Sequence, residues 1–299
     1  MKLNDLSLRD KEIFSKYLSL SSHELSVYNF INIYIWIGLF EIKWALINKS
    51  LCVFFQDRIG AFLYLPPLAQ THDPETVEKV FSILDSINAN KEISRIENVE
   101  AGDLEFYRGL GLKCAQKSWD YLCSRQSLAE LKGDKLKSKR AAYNYFVKNY
   151  SFEFLPFTKK DLGGCLKLYQ TWAEDRRGDN PDMMYRAMLE DSCNAVEILL
   201  KHYDKLNCVG RIVKVNSKIK GFTFGYKLNA DTFCVLYEIT DLSIKGLAQF
   251  IFRALSQEMT DYKYINIMDD SGLENLKKVK LSYRPVKLVP AYIVKRKLP

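Results

Sequence analysis

Histidine is scarce in this chain, and the three present (His23, His72, His202) lie far apart with no cysteine or carboxylate at ligand spacing, so no metal site is expected. The seven cysteines (Cys52, Cys114, Cys123, Cys165, Cys193, Cys208, Cys234) form no Cys-x-x-Cys pair, their number is odd, and no signal peptide precedes them. A disulfide framework is therefore excluded, and the expected compartment is the reducing cytoplasm. Nothing marks any one of them as a nucleophile. An unbroken apolar run is missing too. Phe30 to Ile47 is about as long as a membrane span, but Asn32, Glu41 and Lys43 interrupt it. An ionisable group at the bilayer centre costs roughly 2.5–3.5 kcal/mol on insertion scales. The expectation is a soluble helix capped by Ser26 and running to Trp36, then a strand alternating from Glu41 to Ile47. Contact with a membrane is left as a peripheral one, at its inner face.

What is present describes a folded protein. With 299 residues, 47% hydrophobic and 27% charged, the chain buries a sizeable core and is long enough for two domains. The net charge of +8 is unevenly spread. Residues 132–148 carry six Lys/Arg against one Asp, and residues 277–299 carry eight with no acid, so these stretches hold +13 and the rest of the chain −5. Clustered positive charge on an otherwise acidic protein points to an anionic partner: RNA phosphate, an acidic lipid surface or a nucleotide cofactor.

The last third holds the most informative pattern. An apolar strand (Thr232 to Thr240) passes through Ser243 to Ala248 into an amphipathic helix (Gln249 to Met259). Gly246 and Ala248 bare the backbone N–H groups at a helix N-terminus, beside Lys245, and this arrangement binds anions. The alternative is that Gly246 only lets the helix pack closely. A second strand (Tyr264 to Met268), a short helix (Leu273 to Leu281) and a final strand (Val286 to Lys295) follow. This β-α-β-α-β order resembles the acyl-CoA half of GNAT acyltransferases. The pyrophosphate loop of that family reads Gln/Arg-x-x-Gly-x-Gly/Ala; here Gly246 and Ala248 fit, and Ser243 replaces the first residue.

The pattern occurs twice. IENVEAGDLEFYRGLGLK near residue 96 and INIMDDSGLENLKKVKLS near residue 265 align with Leu104-Glu105 on Leu273-Glu274, Leu110 on Val279 and Leu112 on Leu281. The first copy adds a hairpin (Leu51 to Phe55 with Ala61 to Leu65), a helix (Pro74 to Asn88) and a closing strand (Trp119 to Cys123). Between the copies, Ser127 to Tyr150 reads as a basic helical segment broken near Gly133, its apolar positions docked and its cations outward. The expected fold is α/β: two tandem GNAT-like domains, each a mixed twisted sheet flanked by helices. Their boundaries are 1–126 and 151–299, with a connector at 127–150.

A narrower resemblance rests on Glu24 to Trp36, Asp120-Tyr121, Leu128 to Asp134, Lys139-Arg140, Glu238, Asn266, Asp270 with Gly272, and Lys280 to Pro285. These are similar to uncharacterised bacterial proteins related to the C-terminal domain of phosphatidylglycerol lysyltransferases, and more distantly to Fem-type peptidyltransferases. The family pattern places an Asn after the Lys-Arg pair and an acid two residues after the Asn of the later strand. Ala141 and Met268 stand there instead, which implies a changed or weakened activity, or a non-catalytic descendant. The resemblance implies aminoacyl transfer from aminoacyl-tRNA to a lipid or peptide acceptor. Lys280 and Tyr283 are the candidate donors to the oxyanion and the leaving ribose oxygen. Glu238, Asp269 and Asp270, at strand ends, are candidates to hold the ammonium or act as base. Asn266, Lys139 and Arg140 are candidates for binding substrate, and Lys245, Gly246 and Ala248 for binding phosphate. Two alternatives stay open: an acyl-CoA-dependent N-acyltransferase, and a binding protein without turnover. The donor is accordingly tRNA or CoA, and no resident cofactor is assigned.

Overall fold

The computed structural model describes residues 2–178 and 182–297. Along them run strands β1 (Asn4–Asp5), β2 (Glu41–Ile47), β3 (Ser50–Gln56), β4 (Ala61–Leu63), β5 (Ile96–Glu100), β6 (Lys113–Ser124), β7 (Phe152–Pro156), β8 (Val209–Val215), β9 (Lys218–Lys227), β10 (Thr232–Thr240), β11 (Tyr264–Asn266) and β12 (Lys287–Lys295). The helices are α1 (Lys11–Leu18), α2 (Phe30–Tyr34), α3 (Pro74–Ile87), α4 (Leu104–Gly109), α5 (Arg125–Glu130), α6 (Lys137–Asn149), α7 (Leu162–Arg177), α8 (Met183–His202), α9 (Leu247–Glu258) and α10 (Glu274–Leu281). Among the described residues no helix is long and apolar enough to cross a membrane. The chain divides into two compact units, Met1–Asp120 with Val289–Pro299, and Tyr121–Leu288.

In the first unit the strand order is β1-β2-β3-β4-β5-β12. The β2–β3 hairpin turns on Asn48 and Lys49, both at positive φ (48° and 66°), the conformation that matches the twist of the strands it joins. The hairpin of β3 with β4 is the one expected from the sequence. Helix α3 starts where Pro74 follows Asp73, whose carboxylate accepts the Glu75 and Thr76 N–H groups. It lays Val77, Val80, Phe81 and Leu84 into one core with Phe54, Leu63, Ile96 and Val294. The start of α2 differs from the expectation: Asn29, not Ser26, accepts the Ile31 N–H. The Ser26 amide instead donates to the Asp120 carboxylate at 2.6 Å, so this serine begins no helix.

The units depart from the sequence boundaries in three places, the first being that residues 121–126, given to the first domain, lie in the second unit. The last strand, β12, pairs antiparallel with β5, Ala291 opposite Glu100, and so joins the first unit. The segment 127–150 lies wholly inside the second. Backbone pairing, not adjacency in sequence, decides where each strand belongs.

In the second unit the order is the end of β6 (from Tyr121), then β11-β10-β9-β8-β7, parallel only between β10 and β11. The break in the basic segment falls at Leu131 (φ 53°) and Gly133 (φ 80°), between α5 and α6. Helix α6 packs on α9 through aromatic contacts, with the Phe146 ring 4.9 Å from that of Phe250 and the Phe152 ring 4.4 Å from it. Burying Phe146 completely is the main anchor of α6, since truncating a buried Phe costs about 3–5 kcal/mol.

One irregularity sets up the site. Val235 faces Gly225 and Tyr237 faces Phe224, so β10 carries a bulge that inserts one residue. Side chains alternate faces along a strand, and one extra residue exchanges the two sets. Val235 packs with Leu128, Phe252 and Leu255 beneath α5 and α9. Past the bulge it is Glu238, opposite Thr223, that returns to this face. Tyr237 turns to the other face, against Tyr169 and Ser192 of α7 and α8.

Candidate functional site

The paired register of β10 and β11 runs from Thr232–Tyr264 to Cys234–Asn266. Beyond it β10 bulges, while the chain after β11 turns away through Met268 at φ 60°, with the fully buried Asn266 side chain accepting the Met268 N–H at 2.7 Å. Two parallel strands thus part at their C-terminal ends, and Glu238 stands at the opening. Its Oε2 is buried without a hydrogen-bond partner. Burial pushes the carboxyl up to about 8, against the opposing pull of the Lys139 ammonium. At neutral pH the empty-handed carboxyl therefore keeps its proton, and a cation brought beside it would drive the proton off.

Lys139, on α6, is half-buried and its ammonium is held low by desolvation, with Glu238 acting to raise it. It stands 4.2 Å over the Tyr283 ring, a cation–π contact. Tyr283 is buried, hydrogen-bonds the Gln249 side chain of α9, and keeps its proton because burial and Glu238 raise it well above the usual phenol range. An acid, an amine and a phenol, from three separate elements, thus share one environment.

A second group adjoins them. The Tyr121 hydroxyl donates to Asp270 Oδ2, and Asp270 Oδ1 accepts the Gly272 N–H at 3.0 Å. The Lys280 ammonium donates to the Ile267 carbonyl at 2.5 Å and to the Asp269 carbonyl, and lies 5.9 Å from the Tyr121 ring centroid. Cys123 packs in one core cluster with Tyr283 and lies within the field of the Lys280 ammonium. The sequence reading gave Lys280 to an oxyanion; the structure spends its donors on carbonyls of the loop that carries Asp269 and Asp270.

The remaining predicted residues are placed differently. Arg140 clamps the break between α5 and α6, donating to the carbonyls of Leu131 and of Gly133 (3.1 Å), so its guanidinium is used inside the fold. Gly246 (φ 88°) opens α9, and a Cβ there would lie 2.1 Å from the Ala142 carbonyl oxygen of α6. A backbone acceptor therefore covers the turn where a pyrophosphate would need donors. Ala248 is half-buried on the first turn of α9, and Lys245 is exposed, 4.6 Å over the Tyr145 ring. Of the predicted set, the structure gathers Glu238, Lys139, Tyr283, Asn266, Asp269, Asp270 and Lys280 at the parted strand ends, and leaves Arg140, Lys245, Gly246 and Ala248 at the contact of α6 with its neighbours.

Sequence reasoning missed Thr223, which is fully buried with an unpartnered hydroxyl opposite Glu238. The alternation of Gly221, Thr223 and Gly225 with Phe222, Phe224 and Tyr226 marked two faces of the strand but not the partners of either, for the Phe233 ring fills the space beside Gly225 and Thr240, Leu247 and Ile251 that beside Gly221. Among the described residues no cluster of His, Cys, Asp or Glu is arranged to hold a metal ion.

Comparison with known proteins bears on the family and the fold. Residues 19–295 match the family described as phosphatidylglycerol lysyltransferase, C-terminal. A solved protein of unknown function from Bacteroides thetaiotaomicron is 26% identical, with a TM-score of 0.88 covering 99% of this chain and 100% of that one. L-PGS from Bacillus licheniformis is 15% identical with a TM-score of 0.67, covering 99% and 94%. FemX is 9% identical with a TM-score of 0.65, covering 99% and 98%. The fold is the tandem GNAT-like, Fem-type acyltransferase fold.

Proposed function

The chain belongs to the phosphatidylglycerol lysyltransferase C-terminal family, and from that premise we propose that it transfers an aminoacyl group from aminoacyl-tRNA to a lipid or peptide acceptor. The family and fold make it acyltransferase-like; donor and acceptor are the reading offered here. The observation that carries it is Glu238: a carboxyl with a buried, unpartnered oxygen at the mouth of parted strands, suited to receive the α-ammonium of an amino acid. Binding that cation offsets the burial cost and ionises the acid.

In the transfer, a hydroxyl or amine of the acceptor attacks the ester carbonyl, the bond to the ribose oxygen breaks, the acceptor gives up its proton and the ribose oxygen gains one. The Tyr283 phenol, held neutral, donates to the developing charge. The loop bearing Asp269 and Asp270 supplies the base, and Lys280 positions it by tying its carbonyls. The exposed lysines of α6 and α10 (Lys137, Lys148, Lys277, Lys278) meet the phosphates of the carrier, and contact with an anionic membrane from the cytoplasmic side would use the same cations.

Of the alternatives, acyl-CoA finds less support, because the Ala142 carbonyl of α6 lies against Gly246 in the turn that would have to approach a pyrophosphate. A thermal-shift panel of CoA, acetyl-CoA, charged tRNA mimics and anionic vesicles tests the reading. The tRNA mimic is expected to stabilise the protein, with the effect fading as salt rises. Stabilisation by CoA alone would transfer the assignment to the acyl-CoA class, and response to none of them would favour a binding protein without turnover.

A further inference from the structure

Glu238 has a companion across the strand pair. Thr223 of β9 stands directly opposite it, is fully buried, and its Oγ1 makes no hydrogen bond. Residues facing each other in an antiparallel pair bring their Cβ atoms within roughly 4.5–5.5 Å. The flanking positions on the same face of β9 are Gly221 and Gly225, where the Phe233 ring and the side chains of Thr240, Leu247 and Ile251 take the space a β9 side chain would use, and none of these gives Thr223 a hydrogen bond. A valine would fill the same volume without leaving a polar atom unmet, and burial of an unpaired hydroxyl costs stability that a fold gains nothing from. The two strand positions whose side-chain oxygens lack a hydrogen-bond partner thus face each other across β9 and β10. Lys139 does not fill the gap, for its ammonium rests over the Tyr283 ring and acts on Glu238 only as a nearby charge.

A compact donor with more than one N–H and a positive charge can satisfy both oxygens at once, driving the proton from the Glu238 carboxyl as it binds. A primary ammonium offers three. A simple acyl group offers none, and would leave the acid and the hydroxyl as they are. We propose that Thr223 determines specificity in this site, its hydroxyl accepting a hydrogen bond from the same ammonium that Glu238 receives, so that the transferred acyl group has to carry a free amine. This rests on the aminoacyl reading above and adds to it a residue and a selection rule.

The test is binding of L-alaninamide and N-acetyl-L-alaninamide, followed by NMR titration of the wild-type chain, Thr223→Val, Thr223→Ser and Glu238→Gln. Wild type is expected to bind the amine and not its acetylated form. Thr223→Val should weaken the amine about 5–10-fold, which corresponds to roughly 1–1.4 kcal/mol, with an unfolding midpoint no lower than wild type. Thr223→Ser should stay within about twofold of wild type, since the hydroxyl is kept. If Thr223→Val binds like wild type while Glu238→Gln does not bind, the threonine has no part in recognition and the Glu238 assignment survives. A lowered midpoint in Thr223→Val would show the hydroxyl to be paired within the fold, and would overturn the proposal equally. If wild type fails to distinguish the amine from its acetylated form, the aminoacyl reading falls and takes the role of Thr223 with it.

Discussion

Replacing Glu238 by glutamine separates the cost of this acid from its use. Burial lifts the carboxyl from 4.5 to about 8. Below pH 4.5 the group is protonated in the folded and the unfolded chain, and it costs folding nothing. Between 4.5 and 8 the unfolded chain releases the proton while the native site keeps it, so stability falls with rising pH by up to about 1.36 kcal/mol per pH unit. Above 8 both states are ionised and the loss stops growing. The full window amounts to about 3–5 kcal/mol, the lower figure being apt because the residue keeps some access to solvent. Glutamine is neutral throughout, so Glu238→Gln should match the wild type near pH 5 and exceed it increasingly to pH 8, with a constant difference beyond. Urea unfolding from pH 5 to 9, read by amide hydrogen exchange in β9 and β10, reports on the second unit by itself. A difference that does not change with pH, or a wild type that gains on the variant as pH rises, refutes the assignment of a buried, proton-holding carboxyl.

Three further outcomes follow from the contacts around the site. Gly246→Ala places a Cβ against the Ala142 carbonyl oxygen at a φ of 88°, and should destabilise by about 2 kcal/mol or more, visible as a lower thermal midpoint. Arg140→Lys offers one ammonium where a guanidinium spans the carbonyls of Leu131 and Gly133, and should cost about 1–2 kcal/mol by the same measurement. Lys280→Ala should leave the fold intact and abolish transfer, because the loop of Asp269 and Asp270 loses its two ties; product formed at the wild-type rate would remove Lys280 from the site.

Strand β10 was legible to its ends, Thr232 and Thr240, because a run of apolar and β-branched residues needs no partner to declare itself. The helix at α3 was legible as Pro74 to Asn88, and the β-α-β-α-β order of the last third through its alternation of periods. Glu238, Lys139 and Tyr283 were singled out, but not Thr223 opposite the acid. Which face a strand residue takes beyond a bulge depends on pairing with β9, and no property of Val235 to Tyr237 announces an inserted residue. The fate of Gly246 was likewise hidden: its φ was readable as glycine's privilege, whereas the carbonyl that covers it arrives from α6, about a hundred residues earlier in the chain. Cations proved least legible, since Lys139 and Arg140 are adjacent in sequence and yet one faces an acid while the other ties a loop.

The central claim is that the parted ends of β10 and β11 hold an activated aminoacyl group. Incubating the protein with tRNA charged with labelled amino acids, alongside acetyl-CoA as competitor, and following the label into lipid or peptide fractions, addresses it most directly. The account predicts label transferred from aminoacyl-tRNA, indifferent to acetyl-CoA and lost in Glu238→Gln. Acyl transfer from acetyl-CoA with the charged tRNA left intact would contradict it.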